Sequence, residues 1–262
     1  MNKQLLASAV VLALGAPVVG HAAETPDHTV TGNFGIFSNY IFRGVTQTSE
    51  KPALQGGFDY AHKSGAYIGT WGSNISWLTD SAFYTASSLE LDVYGGYKGT
   101  FGKSDFGYDV GGIVYYYPGD KGVGIDNANT GEVYVGLSWQ WLTAKISYSA
   151  TEYFGFVDSA GTLYADVSAN YPIGKTGLSV QAHVGYLKVA GSSAAATAIC
   201  AGCNNDDAFG YTDWKLGVSY ALPKDFTVAV AYASTNANGP SYTILGTNWA
   251  EKQAVVSVSK TF

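Results

Sequence analysis

From residue 29 onward the chain reads as a succession of short segments in which apolar and polar side chains alternate, the period of a half-buried strand. Leu89, Leu91, Val93, Gly95 and Tyr97 fall on one side of such a segment, with Glu90, Asp92, Tyr94, Gly96 and Lys98 on the other. The split recurs in Leu163, Ala165, Val167, Ala169 and Tyr171 against Tyr164, Asp166, Ser168 and Asn170, and in Leu178, Val180, Ala182, Val184 and Tyr186 against Ser179, Gln181, His183 and Gly185. Trp214, Leu216, Val218 and Tyr220 oppose Asp213, Lys215, Gly217 and Ser219 in the same way, and Val133, Val135, Leu137 and Trp139 oppose Tyr134, Gly136, Ser138 and Gln140. No apolar repeat of helical period is long enough to predict a helix. Turn signals divide the chain into twelve predicted strands, at 29–42, 52–62, 66–77, 87–99, 105–117, 130–140, 142–151, 161–172, 177–190, 211–221, 225–235 and 249–262. Short links (63–65, 101–103, 141, 173–176, 223–224) alternate with long ones (43–51, 78–86, 118–129, 152–160, 191–210, 236–248), which describes an all-β, up-and-down antiparallel meander.

The polar faces decide what the apolar faces touch. A water-soluble barrel keeps its centre apolar and its charges outside. Twelve strands would enclose a lumen too wide for side chains to fill, and the polar faces carry carboxylates that belong in water, so the apolar faces must meet lipid. Segments of about ten residues also suit a tilted strand crossing a bilayer. Composition points the same way: 47% of residues are hydrophobic and only 13% charged, where an ordinary soluble domain has about 25% charged. The 33 Gly follow no collagen period, and 38 aromatic residues (20 Tyr, 12 Phe, 6 Trp) are incompatible with intrinsic disorder. Aromatic residues cluster near predicted strand ends (Tyr40 and Phe42, Trp77, Tyr115 to Tyr117, Trp139 and Trp141, Tyr153 and Phe154, Trp249), as interfacial girdles would. The formal charge of -6, with Arg43 the one arginine and no basic run, excludes a nucleic-acid partner on electrostatic grounds.

Residues 1–22 combine a basic Lys3, an apolar run from Leu5 to Val19 and a small-residue cleavage site at Gly20-His21-Ala22, and are read as a secretory signal peptide. The remaining residues, 23–262, form one barrel domain. With short turns in the periplasm and long loops outside, the expected destination is the cell outer membrane, with both termini on the periplasmic side. The last strand ends on Phe262, in phase with Ala254, Val256 and Val258, and resembles the C-terminal signal by which outer-membrane proteins are recognised by the barrel-assembly machinery; Lys260 breaks that phase. Cys200 and Cys203 are the only cysteines and, in an exported protein, are expected to form a short disulfide.

Beyond pattern, particular strings are familiar. Asn39-Tyr40-Ile41-Phe42-Arg43-Gly44-Val45-Thr46-Gln47-Thr48, Lys51-Pro52-Ala53-Leu54-Gln55-Gly56-Gly57-Phe58-Asp59-Tyr60, Gly65 to Asn74, Glu90 to Tyr97, Tyr115 to Gly119 and Ser257 to Phe262 resemble the TorF-type porin family of Gram-negative bacteria. The likeness covers nearly the whole mature chain, is strongest between 39 and 119, and implies an outer-membrane barrel.

Phase places Asp59, Glu90, Asp92, Lys98, Asp109, Lys145, Asp166, His183, Asp213 and Lys215 on the luminal side. Rings of carboxylates concentrate cations, so a mild cation preference is expected; paired charges knitting the interior together are the competing reading. Arg43, at the outer end of the first strand, either supplies one side of a transverse field or pins the first loop through an ion pair. Loop 191–210 is long enough to fold inward and restrict the passage. Catalysis is not expected: His183 is the one histidine in mid-strand, and no nucleophile elbow, zinc-binding pair or phosphate loop accompanies it. No cofactor and no metal is implied; Asn204 to Asp207, or Asp120 with Asp126 and Asn127, offer oxygens for Ca²⁺ but read more simply as solvated loops. The expected function is passive diffusion of small hydrophilic solutes or ions through a narrow channel embedded in outer-membrane lipid. The alternative is a non-conducting barrel acting as receptor, adhesin or structural element, and after it a barrel hydrolase.

Overall fold

The structure, a computed structural model, describes residues 26–262; the predicted signal peptide lies outside the described residues. Twelve strands form one closed barrel: β1 (His28–Phe37), β2 (Ala53–His62), β3 (Ala66–Asn74), β4 (Leu89–Thr100), β5 (Phe106–Tyr116), β6 (Thr130–Trp139), β7 (Leu142–Ser149), β8 (Leu163–Pro172), β9 (Leu178–Lys188), β10 (Tyr211–Leu222), β11 (Phe226–Thr235) and β12 (Gln253–Thr261). Each strand pairs antiparallel with its chain neighbours, and the seam is sealed by β1 against β12, in register Asn33↔Thr261 to Phe37↔Ser257. Closure leaves no unpaired edge, the condition for strands in hydrocarbon. At the terminal residue, Gly32 N–H donates to the Phe262 carbonyl (2.7 Å) and Phe262 N–H to Gly32 (2.9 Å).

The alternation sets two faces. Val30, Ile68, Val93, Val135, Ile146, Val230 and Val256 point outward and expose half or more of their surface, forming a continuous apolar belt. A belt of that extent in water would far exceed the few-hundred-Å² apolar patches of soluble monomers, whereas hydrocarbon solvates it without penalty. The inward positions hold Glu90, Asp92, Glu132 and Asp213, all almost fully buried. Among the described residues no helix is long and apolar enough to cross a membrane.

Most strands are shorter at the loop end than the pattern predicts. The first stops at Phe37, and Ile41–Phe42 with Val45–Thr46 form a separate hairpin; the third stops at Asn74 and the last begins at Gln253. The extra apolar residues do not continue the wall: Tyr40, Val45 and Trp249 are buried inside the barrel mouth, with Phe42 and Trp77 packed against them. Most of the predicted girdle is corrected for the same reason. Tyr115, Tyr117, Tyr153 and Phe154 also face inward, and of the expected group only Tyr116, Trp139 and Trp141 face outward. The outward aromatics at the short-turn end are instead residues such as Tyr60, Phe106, Tyr171, Phe226 and Phe262. Four short helices not expected from periodicity, Trp77–Asp80, Ala194–Ile199, Asn205–Phe209 and Gly239–Tyr242, lie in the long loops and are too brief to show a helical period.

Candidate luminal site

Strand register arranges the charged side chains in an order. Lys98 on β4 pairs with Asp109 on β5, which leads through Gly136 on β6 to Lys145 on β7, then Asp166 on β8, Gly185 on β9 and Asp213 on β10. The row alternates in sign from Lys98 to Asp166, so these four charges have opposite neighbours in a confined, partly dehydrated space where Coulomb attraction is stronger than in bulk water, and Asp213 ends the row as a second acid. The inward residues of β11 and β12 include Thr227, Ala229, Ala231, Ala233, Gln253 and Ser257, small or neutral. The charge therefore lies mainly on one side of the lumen.

Tyrosines lie flat on this wall where glycine makes room. A Cβ on Gly185 would overlap the Tyr164 hydroxyl, and one on Gly111 would come within 2.5 Å of the Tyr134 hydroxyl. Flattened in this way, the hydroxyls reach the carboxylates: Tyr67 donates to Asp109 (2.6 Å), Tyr94 to Asp59 (2.6 Å) and Tyr164 to Asp213 (2.8 Å), while Tyr67 and Tyr134 share a hydrogen bond of 2.5 Å. The Lys98 and Lys145 ammonium groups sit over the Tyr67 and Tyr134 rings at 5.2 and 5.6 Å.

His183 is enclosed by Ser168 Oγ (2.9 Å from Nδ1), Asp213 Oδ1 (3.1 Å from Nε2) and the Tyr164 hydroxyl (2.9 Å from Nε2), with Asp166 at 3.8 Å. Serine, imidazole and carboxylate follow one another as in a hydrolytic relay. Ser168, however, is mid-strand and pairs with Thr143 on one side and with His183 itself on the other. The ladder on both sides engages the backbone around it. The cluster is a hydrogen-bonded brace across β8, β9 and β10.

Towards the loop end the lumen is crossed by the first loop, residues 38–52. Its tip turns on two left-handed residues, Arg43 (φ 46°) and Gly44 (φ 80°). Gly44 passes so close to Asp213 and Thr235 that no Cβ would fit. From this tip Arg43 reaches β6, five strands from β1 around the barrel one way and seven the other. Its two terminal nitrogens donate to the two oxygens of Glu132, at 2.9 and 2.8 Å, with Tyr153 at 3.3 Å and the Tyr164 ring centre at 4.3 Å. The Tyr211 hydroxyl donates to the Arg43 carbonyl (2.8 Å). A planar fork facing a planar carboxylate is the strongest ion-pair geometry available to a protein. The stem of the loop is held by Tyr40, which donates to Glu90 (2.9 Å), by Thr46 N–H to the Trp249 carbonyl (3.1 Å) and by the Gln47 carbonyl, which accepts from Ser76 and Trp77.

All ten strand residues predicted to face the lumen stand on the inward phase, at varied depth: Glu90, Asp92 and Asp213 are buried, and Asp59, Lys98, Asp109, Lys145, Asp166, His183 and Lys215 are half-buried. Of the two readings of Arg43, the structure contains the ion pair. Its partner, Glu132, is absent from the sequence-based set although it is the third residue of its strand and shares the phase of Tyr134, Gly136 and Ser138. The inward place anticipated for loop 191–210 is taken by the first loop. The later loop packs on neighbouring loops, through Asn205 to the Val157 carbonyl (3.0 Å), Phe209 on Phe156 and Ser241 to the Ala208 carbonyl (2.5 Å). Cys200 and Cys203 are disulfide-bonded within it. Asp207 closes a capping box with Asn204, and Asp206 accepts from Val189 N–H, so helix and loop structure engage these oxygens. Among the described residues no cluster of His, Cys, Asp or Glu is arranged to hold a metal. Val256, Val258 and Phe262 all face outward.

Solved structures share this architecture at low sequence identity. The KdgM porin is 10% identical with a TM-score of 0.52, covering 88% of this chain and 99% of that one. The NanC porin is 12% identical with a TM-score of 0.52, covering 89% and 99%. A KdgM porin in complex with disordered oligogalacturonate is 9% identical with a TM-score of 0.50, covering 89% and 98%. At such identity the likeness is one of fold. No curated protein sequence matches the chain. A family model does match, over residues 21–262, and the chain belongs to that family, described as a bacterial protein of unknown function (Gcw_chp).

Proposed function

We propose that the protein is an outer-membrane, porin-like channel for passive diffusion of small hydrophilic solutes or ions, narrow and mildly cation-preferring. The observation that carries this is the pairing of an apolar exterior with an interior lined by acidic and basic side chains in one closed barrel of twelve strands. Such a wall is at rest only between lipid and water. The porin folds it resembles and the TorF-like strings at 39–119 support the same reading, as does the export expected from the signal-peptide pattern at 1–22. In the outer membrane the short turns would lie in the periplasm, and Val256, Val258 and Phe262 would serve the barrel-assembly machinery as its recognition strand.

Twelve strands enclose less space than the sixteen of open porins, and the first loop takes up part of it, which favours a narrow path. Seven inward acids (Asp59, Glu90, Asp92, Asp109, Glu132, Asp166, Asp213) face four inward bases (Arg43, Lys98, Lys145, Lys215), which favours cations. A polyanion like the oligogalacturonate in the KdgM structure would be repelled by this wall, so that ligand is not carried over. Purified protein in planar bilayers under a salt gradient tests the proposal: discrete conductance with a reversal potential on the cation side is expected, and clear anion selectivity would overturn the preference. The packed first loop favours a second reading, a non-conducting barrel that presents its outer loops as receptor or adhesin; absence of any conductance would select it.

A further inference from the structure

Three buried carboxylates, Glu90 and Asp92 on β4 and Glu132 on β6, stand in the loop-end half of the lumen. Glu90 accepts from Tyr40 and Tyr117, at 2.9 and 3.1 Å, both neutral donors. Asp92 Oδ1 is buried without a hydrogen-bond partner among the described residues. The positive charge in this region is Arg43, carried in on the first loop and spent on Glu132. The polar contacts of the tip with the far wall run through this one residue, the guanidinium to Glu132, Tyr153 and Tyr164 and the carbonyl to Tyr211, while the neighbouring Phe42 ring packs edge-on against Tyr115 and Phe154. The tip is also in left-handed backbone that a non-glycine residue adopts only when its surroundings impose it. The ion pair thus ties the tip of the loop to the far wall and also compensates the carboxylates beside it.

We propose that the first loop is the gate of the channel and that Arg43–Glu132 is its latch, with the same guanidinium masking the acidic mouth. When the latch opens, the loop leaves the lumen and the carboxylates lose their counter-ion. Conductance and cation selectivity therefore rise together. This rests on the channel reading above, and concerns how that channel is regulated.

The test compares wild type, Arg43→Gln, Glu132→Gln and the charge swap Arg43→Glu/Glu132→Arg in planar bilayers, each first shown to fold by its heat-modifiable band on gels. Arg43→Gln is expected to raise conductance several-fold and to move the reversal potential further to the cation side. Glu132→Gln should raise conductance with a smaller selectivity change, since a carboxylate is lost as well. The swap should return conductance most of the way to wild type. Arg43→Gln conducting like wild type, or a swap as open as either single variant, would overturn the latch. If every protein is silent the channel reading fails, and the latch is judged by labelling: Val45→Cys, buried in the wild type, should react with an aqueous maleimide several-fold faster in the Glu132→Gln background. An unchanged rate would overturn the latch on its own.

Discussion

Replacing Glu132 by Gln keeps the shape of the far-wall acceptor and removes its charge, leaving Arg43 buried without compensation. The two side chains are 2% and 6% exposed, so the pair is dehydrated on both sides. Removing one partner of such a pair costs about 3–5 kcal/mol, because the other charge remains in a poor environment. The lower end applies, since Arg43 keeps the Tyr153 hydroxyl at 3.3 Å and the Tyr164 ring at 4.3 Å, and a desolvated cation over an aromatic ring is worth up to about 2 kcal/mol. A loss of about 3 kcal/mol raises the population of the displaced loop roughly 150-fold, at 1.4 kcal/mol per factor of ten. Trypsin reads this population. The first loop holds two basic residues, and Lys51 is followed by Pro52, which blocks cleavage there. Only the Arg43–Gly44 bond reports. Where reclosing is faster than cleavage, the rate follows the open population, so the peptide ending at Arg43 should appear about two orders of magnitude faster from Glu132→Gln than from wild type, quantified by mass spectrometry. Equal rates, with cleavage at other loops unchanged, would refute the assignment of Arg43–Glu132 as the contact that holds the loop.

Other perturbations separate brace, seam and surface. Gly185→Ala forces the Tyr164 ring off the wall and away from Asp213; overpacking of this kind costs about 1–3 kcal/mol, seen as a lower urea midpoint in lipid vesicles, and an unchanged midpoint would mean the ring is free to move. Phe262→Ala removes the ring lying over Gly32 at the seam while leaving the backbone bonds to Gly32, so slower assembly with a nearly normal folded barrel is expected in a refolding time course. Cys200→Ser/Cys203→Ser opens a loop so small that roughly 2 kcal/mol of local constraint is the most it can hold. Because its loop packs on other loops, neither this pair nor deletion of 192–208 should raise single-channel conductance, and a rise from either would show that the later loop also restricts the lumen.

Strand count, direction and face were legible because lipid and water impose a two-residue period on every crossing. The inward phase of Glu90, Asp92 and Asp213 follows from their apolar neighbours alone. Legibility fails at the loop end. Ile41 and Phe42 continue the apolar run after Phe37, but Asn39 and Tyr40 already turn inward, and a period cannot tell a strand that goes on from a loop that folds back. The same ambiguity made Tyr117 and Trp249 look like girdle residues, since an aromatic near a strand end can face either lipid or a packed mouth. Glu132 carries the same signal, with Val133 and Val135 setting its phase; what alternation does not record is its partner. Its pairing with Arg43 joins residues 89 positions apart, set by the width of the lumen and by two left-handed residues that no alternation records.

In a channel of this kind the apolar face touches acyl chains while its neighbour faces water. Val230 and Ala229 are adjacent on β11, the first 56% exposed and the second 4%. Each can be replaced by Cys and given an environment-sensitive fluorophore, since the native cysteines are already bonded to each other. In vesicles with brominated acyl chains, the label at 230 should be quenched strongly and the label at 229 hardly at all, with an aqueous quencher giving the reverse order. Quenching of the label at 230 by the aqueous agent alone would contradict the account.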